Sequence, residues 1–119
     1  MIDIATLGLT LCLATGEMDC NDISYEYDSQ LKKDGINGIT LYYTKSERNV
    51  IKISSQYKNN EYATTMILIH ELAHAKTTLD GHDHDVNQRH LTEFKENCRL
   101  LAQKLDYNPN RLCRKSARY

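Results

Sequence analysis

Proline occurs once and glycine five times in this chain, which excludes collagen-like and loop-dominated architectures. No apolar run reaches the roughly 18 residues of a membrane-spanning helix, so no membrane span is expected. Neither sign of charge dominates: 15 Lys plus Arg stand against 16 Asp plus Glu, a net charge of -1. That balance excludes a globally basic nucleic-acid binder and leaves room only for a local basic patch. There is no internal repeat and no low-complexity tract. No C-x-x-C pair occurs among Cys12, Cys20, Cys98 and Cys113, so a cysteine zinc site has no support. No Lys or Arg precedes Lys32, so the apolar stretch 4–14 lacks the basic leader of a signal peptide.

What remains is ordinary globular composition, 40% hydrophobic and 26% charged over 119 residues. A chain of this size forms one small domain, 1–119. An even number of cysteines permits disulfides, and Cys98 with Cys113 is placed to staple a helix to the C-terminal tail. Nothing in the sequence forces an oxidising compartment, so the expectation is four reduced thiols in a cytoplasmic protein. The alternative is a secreted protein, if residues 1–14 act as a signal-like segment. Leu7, Leu9, Leu11 and Leu13 alternate with Gly8, Thr10 and Cys12, which is strand periodicity. Residues 4–14 are therefore expected as a buried strand or first core element.

Residues 19–38 are polar, with turn signals at Asp34-Gly35 and Asn37-Gly38 and a short alternating run at Ile23, Tyr25 and Tyr27. Residues 39–44 (ITLYYT) and 50–54 are strand candidates joined by a polar turn at 46–49, which predicts an antiparallel hairpin. Asn59-Asn60 then supplies an N-cap, with Glu61 in the first turn. Residues 62–79 carry no Gly or Pro and predict a helix. Met66 to Ile69 is apolar all round, so this helix should be central and buried. Asp80-Gly81 ends it.

Asp85-Val86-Asn87-Gln88 has the form of a capping box for a second helix. Val86, His90, Phe94, Cys98, Leu101 and Leu105 make one stripe along it, and Asn108-Pro109 closes it. The tail 111–119 holds Arg111, Arg114, Lys115 and Arg118 without an acid. It reads as a solvated or frayed end, with a weak nucleic-acid contact as the alternative.

The chemistry lies in His70-Glu71-Leu72-Ala73-His74. Residues four apart share one face of a helix, so both imidazoles can aim at one point. Zinc accepts such nitrogens at about 2.0–2.1 Å. Glu71, one residue beyond His70, sits beside that point as a base for water rather than as a ligand. On an otherwise apolar helix, two histidines and a glutamate are costly buried polar groups unless they have work to do. A catalytic site needs a third ligand and an open position. His82, His84, His90, Glu93 and Glu96 are the candidates. His82 and His84 fall in a polar loop, whereas His90 lies on the apolar stripe of the second helix and turns toward the first.

The run Met66 to Ala75, then His90-Leu91-Thr92-Glu93-Phe94, resembles the SprT-like (Spartan-type) zinc metallopeptidase domain, and more loosely the minimal zincins of the WLM type. The resemblance covers roughly residues 39–105; residues 1–38 match no part of it. It implies His70, His74 and His90 as zinc ligands and Glu71 as general base. The residue after His90 is Leu91 rather than the usual Gly. Gly81-His82, with Val86 four residues on, keeps His82 open as the alternative third ligand.

These readings converge on an α+β fold: a small antiparallel sheet packed on a buried active-site helix, with a second helix closing the site. The expected activity is hydrolysis of peptide bonds in a protein or peptide substrate, by a monomer that uses zinc. The rival is a non-enzymatic zinc-stapled binding module, with nucleic-acid association as one form of it.

Overall fold

The computed structural model describes residues 3–15, 20–77 and 88–116. Its elements run α1 (Ile4–Thr15), β1 (Ile23–Asp28), α2 (Ser29–Lys33), β2 (Gly38–Tyr43), β3 (Arg48–Ser54), α3 (Glu61–Thr77), α4 (Gln88–Lys104) and α5 (Pro109–Ser116). Short 3-10 turns at Cys20–Asp22 and Ser55–Tyr57 precede β1 and α3. The α+β expectation holds.

The first element is a helix, not a strand. Asp3 caps it, accepting from the Thr6 amide at 2.8 Å and the Thr6 hydroxyl at 3.0 Å. Leucines at every second position read as a strand, and the helix overrides that alternation. As a helix the chain buries Leu7 and Leu11, four apart, and leaves Leu9 and Leu13 on the outside. Gly8 faces the ring of Tyr25, and a Cβ there would collide with it, so α1 lies close on β1.

The sheet has the order β1-β3-β2. The expected hairpin is present: β2 runs antiparallel to β3, from Gly38 opposite Ile53 to Tyr43 opposite Arg48. β1 runs parallel to β3, from Ile23 beside Asn49 to Asp28 beside Ser54. The sheet is therefore mixed rather than purely antiparallel. α2 supplies part of the return path that a parallel neighbour requires. Asp28 caps α2 through the Gln30 amide at 2.7 Å. Gly35, at φ 70°, closes it, with the Ile36 amide bonded to the Leu31 carbonyl at 2.9 Å.

One face of the sheet, with Ile23, Tyr25, Tyr27, Asn49, Ile51, Ile53, Gly38, Thr40 and Tyr42, looks toward the helices. The other carries Lys52 paired with Asp28 at 3.3 Å and Glu26 at 3.6 Å, and Arg48 bonded to Ser24 at 2.8 Å.

α3 crosses the inner face and is packed between the sheet and α1, α4 and α5. Asn60 caps it as expected, accepting from the Ala63 amide at 3.0 Å. Ile67, Leu68, Ile69 and Leu72 are fully buried, so the helix is apolar on every side there. Its buried threonines are satisfied locally. Thr64 donates to the Tyr57 carbonyl at 2.9 Å and meets the Tyr27 hydroxyl at 3.1 Å, and Thr65 donates to the Glu61 carbonyl at 2.8 Å.

The stretch 109–116 is not a frayed end. It forms α5, capped by Asn108 through the Arg111 amide at 3.1 Å, with Leu112 fully buried. An amphipathic turn with one deep leucine docks where a purely charged tail would not. Nor are the thiols reduced: Cys12 is bonded to Cys20, and Cys98 to Cys113. Both pairs bring Cα atoms within 5.9 Å, a separation that disulfides span without distortion. Among the described residues, no helix is long and apolar enough to cross a membrane.

Candidate metal centre

His70, Glu71 and His74 lie in the C-terminal half of α3, a helix buried along most of its length. One turn separates the two histidines, and their rings stand 5.0 Å apart at 63°. His70 is 4% exposed, Glu71 3% and His74 9%. One ligand atom from each of the three lies within 4.8 Å of the others. Two imidazoles and a carboxylate brought this close, inside an apolar helix, form a donor set that can hold a metal ion.

The third member is oriented from the sheet. Thr40, in the middle of β2, places its hydroxyl 2.9 Å from Glu71 Oε1 and 3.0 Å from the Glu71 main-chain oxygen. Burial pushes the Glu71 carboxyl up to about 7, and the Thr40 hydroxyl pulls the other way.

The sequence places the two histidines and Glu71 together, and the fold does the same. Of the third-ligand candidates, His82 and His84 lie outside the described residues. His90 stands in the first turn of α4 and Glu93 in the second, and both side chains lie outside the described set. The stripe shared with His90 is buried further along at Cys98 and Leu101, and α4 packs against α3. Glu96 is exposed on α4.

Thr40 is the residue that sequence reasoning misses. Alternation along β2 puts positions 38, 40 and 42 on one face, but nothing local says that this face meets Glu71. The basic residues Arg111 and Arg114 are exposed on α5. No family model, curated protein or solved structure matches this chain.

Proposed function

We propose that the protein is a zinc-dependent metallopeptidase similar to the SprT-like domain. His70, His74 and His90 hold the ion, with His82 the alternative to His90, and Glu71 acts as general base. One observation carries this reading: two buried imidazoles, one helical turn apart, share their pocket of donors with a carboxylate that the sheet orients. Bound there, zinc would polarise a scissile carbonyl and make a water acidic enough to attack near neutral pH. Glu71 takes the proton from the attacking water and delivers it to the leaving amine as the C–N bond breaks. The substrate is a protein or peptide.

The rival, a zinc-stapled binding module, has less support. A structural site gives Glu71 no task. The two disulfides favour a non-reducing setting over the cytoplasmic one. Two exposed arginines on α5 offer at most a weak, salt-sensitive contact to nucleic acid.

The experiment is cleavage of an unfolded protein by wild type and by Glu71→Gln, with and without a chelator. Wild type should cleave and lose activity on chelation. Glu71→Gln should retain stoichiometric zinc while activity falls by about 10²–10⁴-fold. Loss of zinc from Glu71→Gln, or an active Glu71→Gln, would contradict the assigned role.

A further inference from the structure

β2 is one of the two edge strands of the sheet, and it is the strand that meets the acid of the site. Its contact with α3 is unusually close. A Cβ on Gly38 would stand 2.5 Å from Ile67 Cγ2 and 3.3 Å from Glu71 Cγ, so only a glycine lets strand and helix close up there. Two residues on, the Thr40 hydroxyl reaches both the Glu71 carboxylate and the Glu71 main-chain oxygen. The hydroxyl carries one proton, so it serves these two acceptors one at a time. Both belong to the same residue. The hydroxyl thus fixes the carboxylate relative to the helix that carries it.

We propose that Thr40 is the positioning residue for the general base: it holds Glu71 Oε1 toward β2 and leaves Oε2 to meet the water. This rests on the metallopeptidase reading. A glutamate has three side-chain torsions, and a base that wanders among rotamers spends little time in the reactive geometry. Threonine suits the opposite role. It is β-branched, so its χ1 is stiff, and on a strand its hydroxyl is aimed by the backbone. A buried carboxylate also needs a donor, and Thr40 supplies one. A simple strand-to-helix clip would require only the main-chain contact. The contact to Oε1 gives the hydroxyl a bearing on chemistry.

The test compares Thr40→Val, which keeps shape and β-branching but removes the donor, with Thr40→Ser, which restores it. Thr40→Ala serves in place of Val if that variant does not fold. The readouts are kcat and KM on a peptide, zinc content, and the metal-free crystal structure of each variant. Thr40→Val should lower kcat by about 10–100-fold, the usual effect of removing a partner that orients a metal-site residue. Its KM and zinc content should be unchanged, and Thr40→Ser should recover most of the rate. In the metal-free crystals, Glu71 should leave its place beside β2 in Thr40→Val and keep it in Thr40→Ser. Wild-type kcat in Thr40→Val, a Thr40→Ser as slow as Thr40→Val, or an unmoved Glu71 overturns the proposal while the metallopeptidase reading stands. Absence of chelator-sensitive cleavage by the wild type overturns both.

Discussion

Gly38 and Ile67 are in contact across the strand–helix interface, with no room between them for even a methyl group. This sets how near β2 lies to α3, and therefore whether Thr40 can reach Glu71. Gly38→Ala should push the strand off the helix and lower stability by about 1–3 kcal/mol, the usual cost of overpacking a tight core. Urea denaturation of the variant measures it. An unchanged midpoint would mean that the interface yields without cost.

The Cys98–Cys113 bond closes a loop of sequence separation 15 between α4 and α5. Loop-closure entropy for about 15 residues predicts roughly 3 kcal/mol of stabilisation. The Cys98→Ala/Cys113→Ala pair should therefore lower the Tm clearly, and reduction should mimic it. Cys12 and Cys20, separated by only 8, should matter less. Thermal melts of both double variants, oxidised and reduced, check the order.

Acid stability should depend on Asp28. Its carboxyl is held below the ordinary value of 3.8, first by the Gln30 amide it caps and then by Lys52. A depressed folded pKa means that the contribution is complete above the unfolded value and is lost as pH falls through the folded one. Asp28→Asn should flatten the acid limb of the stability curve below about pH 4 while changing little of its shape near neutrality. Denaturant midpoints of wild type and variant across pH 2–7 test this. Parallel curves below pH 4 would mean that the ion pair and cap contribute nothing.

The third ligand is open to a direct comparison. His90 belongs to a stripe in which Cys98 and Leu101 are fully buried and Leu105 partly so, and its helix packs on α3. His90→Ala should lower zinc affinity by orders of magnitude, whereas a merely supporting histidine costs about 10–100-fold. His82→Ala should fall in the weaker class. The reverse order, read by competitive zinc titration, would move the ligand to His82.

The parts of this fold that local signals determine are the parts legible in the sequence. Asn60, the gap-free stretch after it and the all-apolar Met66 to Ile69 announce α3. The spacing of His70 and His74 announces the metal-capable face. The β2–β3 hairpin follows from two alternating runs and a short polar link. What depends on distant partners is not legible. Residues 4–15 carry the alternation of a strand, yet they form a helix capped by Asp3 and laid on the Tyr25 ring. The parallel pairing of β1 with β3 is set by a crossover, not by β1 itself. α5 is held by Leu112 and by Cys113, whose partner lies on another helix. Thr40 looks like any strand threonine until α3 is laid against it.

Both covalent cross-links fall in the flanks. One ties α1 to the turn before β1, the other ties α4 to α5, and no cysteine occurs between Cys20 and Cys98. Every strand and the whole of α3 lie in that intervening stretch. An oxidised but unfolded chain is therefore two small tied loops at either end of a long linear segment. Its cross-links do nothing to shorten the search for the β1–β3 pairing or for the meeting of Thr40 with Glu71. The strands and α3 are thus held by packing and hydrogen bonds alone, against flanking helices that the sulfur bonds tie down.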